Sequence, residues 1–553
     1  MAKHSHHLID RLSTNSLTIP ILIGCGILLR LFHYLDNRSL WEDEVFLASS
    51  LIHMNFTQLA SQPLEYQQRA PLGFLWLVRA SILCFNNKEM ALRLVSLLGG
   101  VVSMFLSVPV AKYFLKTSRS QVTALAIVAF APPLVYHAVE VKQYGTEFLS
   151  TVLCLYLYAR YHAARSLQPM VLWAVGGAII LWFSFSSLFV LAGIGIAVSL
   201  TDLRTKNWRL LTQRAIPFGI WFISFGIVYT LFIRRYPEET WLVQFWRNRE
   251  AFWPLPPHSI HELVWPLRQT YSLLHYPLGL TWFDLNYTYP FSDAARFLAR
   301  MPLLPALIGA WGALRLLRYE KRIFLLFAMP VLMALVASAL EFYPLSERLT
   351  VFLAPIFVLV VAKGIESVEF HFSNPFVKNL VMLALLAAPL MNSARQLINP
   401  DLFGDYKKSR QREAMQYLQK NYRPGDVVYV YWNNLPSFRY YEEAYDFHFN
   451  TIYGSDVRLV SSDFDSYFKN LGVDFQHLPG HNRLWYLYKP YNGMKIGDIE
   501  KQPDWYYHKV DAAGKVLKYL SIFGKGEKVY PPENTDSDVN VYLFKLPETT
   551  FPD

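Results

Sequence analysis

Long apolar runs are the feature of this sequence that most restricts its fold. Runs of roughly 17–25 residues recur from residue 17 to residue 394 and then stop, and an apolar helix needs about this length to cross a lipid bilayer. The eleven runs lie at 17–35, 90–112, 121–138, 146–163, 170–184, 186–201, 215–233, 296–314, 323–340, 348–366 and 377–394. The pattern predicts a polytopic α-helical membrane protein with about 11–13 transmembrane helices.

The composition is typical of a membrane region joined to a polar region. Only 17% of the residues are charged, whereas soluble proteins carry about 25%. The net charge of +10 would suggest a nucleic-acid partner in a soluble protein, but in a membrane protein it reflects Lys and Arg in cytoplasmic loops. We therefore expect the lipid bilayer as a partner and no nucleic acid. Three cysteines in 553 residues exclude a disulfide scaffold.

Short basic clusters orient the predicted spans. Lys and Arg concentrate near residues 112–119, 160–165, 204–214 and 315–322, and such clusters favour the cytoplasmic side. This topology places the N-terminus in the cytoplasm. It leaves four segments and the C-terminal part outside, the segments being 36–88, 139–145, 234–295 and 341–347. For a bacterial envelope it predicts a multi-pass protein of the inner (plasma) membrane.

Two kinds of segment depart from the span pattern. Within the external loop 36–88, the stretches 44–55 and 71–85 are too short to span, so we expect two helices lying at the membrane interface. After residue 394 the composition becomes polar and aromatic. Strands are expected at 427–432, 483–488 and 539–544, and a helix at 412–422. The sequence thus predicts a membrane domain over 1–394, with a second external loop at 234–295, and a soluble, external (periplasmic) α/β domain over 395–553.

Acidic and basic side chains recur in the predicted external segments. The candidate site residues are Asp43, Glu44, Arg69, Glu140, Lys142, Tyr144, Tyr343 and Arg348. Taken singly, each has an ordinary explanation: solvated acids, an arginine extended to lipid headgroups, or an ion pair that joins two spans. Taken together, they place carboxylates and phosphate-binding cations on one side of a helix bundle. We therefore expect chemistry at the external membrane surface on an anionic, lipid-linked substrate.

At these residues the sequence resembles the GT-C glycosyltransferases, specifically the family-39-like membrane enzymes. These are similar to protein O-mannosyltransferases and to lipid A aminoarabinose transferases. The resemblance covers about residues 1–400, and residues 424–430 also look like the external domain of such proteins. The matching segments are Ser39–Val45, Gln68–Trp76, Glu89–Ser96, Glu140–Tyr144 and Tyr343–Pro355.

The resemblance implies an inverting transfer of a sugar from a polyprenyl-phosphate donor at the external face. It implies that Asp43 is the catalytic base and that Glu44 is its partner. Arg69, Lys142 and Arg348 would bind the donor phosphate, and Tyr144 and Tyr343 would hydrogen-bond to phosphate or sugar. Glu140 would hold Lys142 or meet the acceptor.

Several alternatives stay open at the level of sequence. Two adjacent acids without a histidine cluster favour a site with no metal and no cofactor, although a divalent metal is compatible with this fold. A transporter or flippase of a lipid-linked glycan, or a non-catalytic scaffold that binds such a glycan, would also explain a charged external face. An enzyme similar to the O-antigen ligases or polymerases would fit the same chemistry. The sugar and the acceptor, whether protein, lipid or polysaccharide, are not specified.

Overall fold

A computed structural model describes residues 17–235, 240–281, 303–404, 407–476, 478, 481–490, 503, 505–506, 511–532 and 537–546. Within these residues the chain forms a helix bundle followed by a small sheet domain. The helices of the first part are α1 Thr18–Asp36, α2 Glu42–His53, α3 Phe56–Ser61, α4 Leu72–Phe85, α5 Glu89–Phe114, α6 Ser118–Phe130, α7 Pro132–His137, α8 Tyr144–Tyr161, α9 Leu167–Phe183, α10 Ser187–Arg204, α11 Trp208–Leu231, α12 Thr240–Arg247, α13 Ile260–Leu263, α14 Trp265–His275, α15 Leu303–Tyr319, α16 Lys321–Ala339, α17 Ala354–His371 and α18 Pro375–Ile398.

Every predicted apolar run falls on helix, although residues 296–302 of one run lie outside the described residues. Among the described residues, seven segments are long and apolar enough to cross a membrane, and α4 and α9 are shorter apolar helices. The seven are Thr18–Asp36, Glu89–Phe114, Ser187–Arg204, Trp208–Arg235, Lys321–Ala339, Glu347–His371 and Pro375–Ile398. The chain is therefore a polytopic α-helical membrane protein, as predicted.

Among the seven candidate membrane spans of the described residues, the segment that contains α17 is the most buried. A 3-10 turn, Glu347–Leu353, leads directly into α17. In the most apolar stretch of the combined segment Glu347–His371, 94% of the residues are buried. A Cβ atom at Gly364 of α17 would lie 2.0 Å from the Ile308 carbonyl oxygen of α15, and one at Gly312 of α15 would lie 2.0 Å from the Val360 carbonyl oxygen. The two backbones approach this closely because glycine has no side chain, a common device in membrane helix pairs.

A buried ion cluster lies toward the far end of α17. The ammonium of Lys363 is fully buried and contacts the carboxylates of Glu320 at 3.1 Å and Glu366 at 3.0 Å. Lys116, just after α5, reaches the same Glu320 at 2.9 Å. Charges in a membrane bundle are costly unless they are paired, so this cluster joins the ends of three bundle segments.

The polar C-terminal part contains a five-stranded mixed sheet. Its strands are β1 Asp426–Val430, β2 Thr451–Tyr453, β3 Arg483–Tyr488, β4 Lys525–Tyr530 and β5 Asn540–Lys545. Their order is β2-β1-β3-β5-β4, with β2, β1 and β3 parallel and the remaining two pairings antiparallel. The helices of this part are α19 Gln411–Asn421, α20 Leu435–Tyr445, α21 Phe464–Phe475 and α22 Ala512–Leu520.

The predicted strands at 427–432, 483–488 and 539–544 and the predicted helix at 412–422 are confirmed to within two residues at each end. Strands β2 and β4 were not anticipated, because β2 has only three residues and β4 alternates charged residues with Gly and Val. Helix α18 continues to Ile398. The division of the chain at residue 394 and the side of the membrane on which the sheet lies stay predictions.

The sheet domain packs on the segment between α1 and α5, and the side of the bundle that carries it is called the sheet side below. Tyr441 of α20 accepts a hydrogen bond from the Leu40 amide at 2.7 Å. Arg412 of α19 pairs with Glu89 at 3.0 Å. Apolar residues of α2 and α4 share one core with those of α19, α20 and the sheet. The contact is therefore a packed interface and not a loose tether.

Helices α2 and α4 correspond to the two helices expected within 36–88. Helix α2 begins with three acids, Glu42, Asp43 and Glu44, at the end of a helix where the backbone dipole favours negative charge. The placement of α2 and α4 at the membrane interface stays a prediction. Of the second expected loop, 234–295, residues 236–239 and 282–295 lie outside the described residues.

Candidate active site

Asp43 and Arg348 form the centre of the site. The carboxylate of Asp43, in the first turn of α2, contacts the Arg348 guanidinium at 2.6 Å, and about a fifth of each side chain is exposed. Arg348 lies in the 3-10 turn Glu347–Leu353 before α17. The structure thus joins the first predicted acidic segment with the last predicted basic one.

The charge state of Asp43 follows from its surroundings. Burial acts to raise the pKa of this carboxyl, but the positive charges of Arg348 and Lys142 outweigh burial and hold the pKa below its usual value. The carboxylate is therefore ionised at neutral pH. Because the side chain is partly exposed, the carboxylate is able to accept a proton from a bound hydroxyl.

Glu44 points in another direction from Asp43. Its side chain is fully buried and receives two hydrogen bonds from Arg93 of α5, at 3.0 and 2.8 Å. The backbone N–H of Val141 donates to the same carboxylate at 2.8 Å. Adjacent residues on an α-helix point about 100° apart, so Glu44 joins α2 to α5 and to the turn after α7 while Asp43 faces Arg348.

Glu140 lies in that turn and forms a buried hydrogen-bonded chain. Its carboxylate contacts His137 Nδ1 at 2.7 Å and accepts a hydrogen bond from Trp41 Nε1 at 3.1 Å. The other ring nitrogen of His137 contacts the hydroxyl of Tyr276. Burial acts to raise the pKa of Glu140, but His137 and nearby cations hold it well below its usual value. Glu140 is therefore an ionised, fixed group beside the cations.

Lys142 and Arg69 occupy different environments. Lys142 is 5% exposed, its ammonium donates to the side-chain oxygen of Gln68, and its backbone carbonyl accepts from Ser96. Burial lowers the pKa of Lys142, against the opposing effect of Asp43. Arg69 follows Gln68 and is exposed, which places it at the rim of the site.

The two predicted tyrosines contact different parts of the site. The ring of Tyr144, at the start of α8, lies 5.1 Å from the His137 ring. The Tyr343 hydroxyl donates to the Leu349 carbonyl at 2.9 Å, and its ring packs on Phe189 and Phe352. Tyr343 therefore stabilises the turn that carries Arg348.

Sequence reasoning missed Lys407. This residue follows α18, is 4% exposed, and places its ammonium 5.9 Å from the centre of the Trp41 ring and 3.3 Å from the Tyr276 hydroxyl. Arg348 lies over the same Trp41 ring at 5.5 Å. Lys407 belongs to no motif and to none of the predicted external loops between spans, so only the folded chain brings it to the site.

Glu89, Arg93 and His137 were visible in the sequence but were not chosen as site residues. Each stands at the end of an apolar run, where a titratable side chain is unremarkable by itself. Their buried contacts to Arg412, Glu44 and Glu140 identify them as supports of the site. In the described part of the chain, no group of three His, Cys, Asp or Glu side chains is arranged to hold a metal ion.

An apolar cavity of about 390 Å³ lies among α9, α10 and α11. It extends along α10 from Leu188, in the first helical turn, to Leu200. Leu188 is followed by Phe189, whose ring packs 5.2 Å from that of Tyr343. The cavity therefore extends along α10 from a point next to the Phe189–Tyr343 ring pair, and its lining includes exposed residues such as Phe222.

Comparisons with known proteins identify the fold. No family model and no curated protein sequence matches this chain. Among solved structures, ArnT from Cupriavidus metallidurans bound to undecaprenyl phosphate aligns over 96% of this chain and 98% of its own, with a TM-score of 0.53 and 12% identity. An archaeal oligosaccharyltransferase, AglB from Archaeoglobus fulgidus in complex with an inhibitory peptide and a dolichol-phosphate, aligns over 97% of this chain and 75% of its own, with a TM-score of 0.46 and 12% identity.

The alignment with ArnT covers both the helix bundle and the sheet domain, since almost the whole of each chain takes part. At 12% identity it concerns the fold and leaves the chemistry to be argued from the site. The fold that the sequence resemblance implied is confirmed: the chain has the GT-C fold, a polytopic helix bundle followed by an α/β domain.

Proposed function

We propose that this protein is an integral membrane glycosyltransferase that inverts the anomeric configuration. It would move a hexosyl or pentosyl unit from a polyprenyl-phosphate donor to an acceptor hydroxyl. The observation that carries the proposal is the position of the ionised, partly exposed Asp43 beside Arg348 and Lys142. The shared fold with ArnT, whose structure holds undecaprenyl phosphate, supports the choice of donor class.

The proposed reaction is a single displacement. The acceptor oxygen attacks the anomeric carbon from the face opposite the phosphate, and its proton passes to the Asp43 carboxylate. The bond between the anomeric carbon and the phosphate oxygen breaks, and the polyprenyl phosphate leaves with the electron pair. Negative charge grows on that phosphate, so fixed cations stabilise the transition state more than the bound donor.

Arg348 and Lys142 are proposed to contact the phosphate, and Arg69 at the rim to guide it into the site. Arg348 already neutralises Asp43, so the incoming phosphate would share this guanidinium with the carboxylate. Glu44 and Tyr343 would act as positioning residues, since their contacts are to Arg93 and to the Leu349 carbonyl. These side chains supply both the base and the cations, so we propose a transfer that needs no cofactor.

The apolar cavity along α10 suits the hydrocarbon chain of such a donor. Its lining is almost wholly aliphatic and aromatic. The end of the cavity at Leu188 lies next to Phe189, whose ring packs on that of Tyr343. A polyprenyl chain seated there would leave its phosphate near Arg348. We further propose a bacterial inner-membrane location with the N-terminus in the cytoplasm and the sheet domain in the periplasm, because basic clusters follow the ends of the spans opposite the site.

The test is sugar-dependent release of free polyprenyl phosphate by the purified, detergent-solubilised protein. A panel of labelled polyprenyl-phosphate sugars is incubated with membrane extract as the acceptor source. We expect release by the wild type and a loss of about 10²–10⁴-fold in D43N, since a general base contributes about that factor. The matched control is E42Q, because Glu42 is the neighbouring acid but is half exposed and pairs with Lys489.

Equal release by wild type and D43N would remove Asp43 from the mechanism. Donor binding without turnover across the whole panel would favour a flippase or a binding scaffold over an enzyme. Turnover that survives EDTA would agree with a site that uses side chains in place of a metal. The labelled product, whether protein, lipid or polysaccharide, would identify the acceptor.

A further inference from the structure

Lys407 is carried by the segment between the last membrane helix and the sheet domain. Among the described residues α18 ends at Ile398, a short 3-10 turn covers Pro400–Leu402, and α19 of the sheet domain begins at Gln411. Residues 405–406 of the intervening segment lie outside the described residues, and Lys407, which follows them, is 4% exposed. A connector between two domains is normally exposed, so a nearly buried lysine in it requires an explanation.

The surroundings of the Lys407 ammonium are aromatic and lie on the Asp43 side of the bundle. The ammonium is 4.6 Å from the centre of the Tyr136 ring, 5.4 Å from that of Tyr276 and 5.9 Å from that of Trp41. Rings of this kind stabilise a cation without neutralising its charge. The Tyr276 hydroxyl also accepts a hydrogen bond from this ammonium at 3.3 Å.

Trp41 relates Lys407 to the other site groups. Arg348 stands 5.5 Å from the centre of the same ring, and the indole nitrogen of Trp41 donates to Glu140. The charges of Asp43 and Glu140 favour the charged form of Lys407, whereas Arg348 and burial oppose it, and burial dominates to lower the pKa of this lysine. Lys407 and Arg348 thus form a pair of cations that lie 5.9 and 5.5 Å from the centre of one indole ring, and Arg348 contacts the proposed base.

We propose that Lys407 is a further phosphate-binding cation of the donor site, supplied by the connector to the sheet domain. The inference rests on the proposed function, because it takes the lipid phosphate as the ligand. Together with Arg348 it would hold two different oxygens of the phosphate. Two cations close to the same indole ring would fix the orientation of the leaving group more firmly than one.

The experiment measures binding of undecaprenyl phosphate and of the uncharged alcohol undecaprenol to the full-length protein in lipid nanodiscs. The variants are K407Q, K407R and the matched control K408Q, whose lysine is the next residue and is exposed. We expect K407Q to lose about tenfold in affinity for the phosphate and to keep its affinity for the alcohol, because only the charged contact is removed. K407R should keep most of the affinity and K408Q all of it.

Each result bears on a different claim. A wild type that binds undecaprenyl phosphate no better than undecaprenol would overturn the donor class, and with it the proposed function. A wild type that prefers the phosphate, with K407Q unchanged, would overturn the role of Lys407 alone. Equal loss of both ligands in K407Q, accompanied by a lower melting temperature, would show a structural lysine and would also overturn the inference.

Discussion

The carboxylate of Asp43 and the guanidinium of Arg348 lie 2.6 Å apart, although one residue opens a helix near the start of the chain and the other precedes α17. The pair places a proton acceptor and a phosphate-binding cation at one point. It also makes the ionisation of the acid dependent on the cation.

This dependence predicts a shifted pH profile in R348Q. The charge of Arg348 helps to keep the pKa of Asp43 below its usual value, so its removal raises that pKa. Activity needs the ionised base and is lost as the pH falls through its pKa, so the acidic limb of kcat/KM should move to higher pH in R348Q. The maximal rate should also fall, because one phosphate contact is missing.

Arg247 supplies the control for that experiment. It pairs with Glu341 at 2.7 Å, but about half of its side chain is exposed. R247Q should therefore leave the acidic limb in place. An unshifted limb in R348Q, with activity still dependent on Asp43, would mean that the two residues do not act together during turnover.

Substitution of Glu44 should affect folding more than the chemical step. E44Q leaves Arg93 buried without its charged partner, and breaking a buried pair costs about 3–5 kcal/mol. We expect a large fall in the midpoint of thermal unfolding, followed in detergent by intrinsic fluorescence, together with a lower yield of folded protein. The folded fraction should keep the acidic limb of the wild type.

The neighbouring variant E42Q is the comparison for E44Q, since Glu42 is half exposed. It should change the unfolding midpoint little. If E44Q unfolded at the wild-type midpoint but had lost turnover, Glu44 would take part in the chemistry, as the sequence resemblance implied.

The contact between α15 and α17 predicts that G364A is strongly destabilising. The added methyl group would lie 2.0 Å from a backbone carbonyl oxygen, which cannot move aside as a flexible side chain does. The control is G226A in α11, where nothing lies within 4 Å of the added carbon. Unfolding midpoints should fall by several degrees in G364A and not in G226A. Equal midpoints would show that the two helices can separate at low cost.

The membrane part of the fold was predictable because hydrophobic length is a local property. Each apolar run from 17–35 to 377–394 carries its own signal, and each is found on helix. Strands such as β4 were not predictable in this way, because its residues Lys525–Tyr530 gain their partners only from β5, which follows later in the chain. Pairing between strands leaves little trace in either strand alone.

The site illustrates the same limit. The sequence indicates which segments carry charge. It does not show that the Asp43 side chain is partly exposed and that the Glu44 side chain is buried, since this depends on the rotation of α2 against α5. Lys407 gave no signal because nothing in its local sequence distinguishes it from Lys408. Its surroundings are the rings of Trp41, Tyr136 and Tyr276, which are distant from it in the sequence.

The packing of the sheet domain on residues 39–89 has a consequence for experiments that shorten the chain. Helix α2 lies between the bundle and the sheet domain, so the acid in its first turn is held from both sides. A protein cut after α18 would lose Lys407. It would also lose the sheet-domain residues that pack on one face of α2, the helix that carries Asp43. Inactivity of such a fragment would thus not reveal whether the distal part selects the acceptor, whereas point changes on the outer surface of the sheet would separate the two roles.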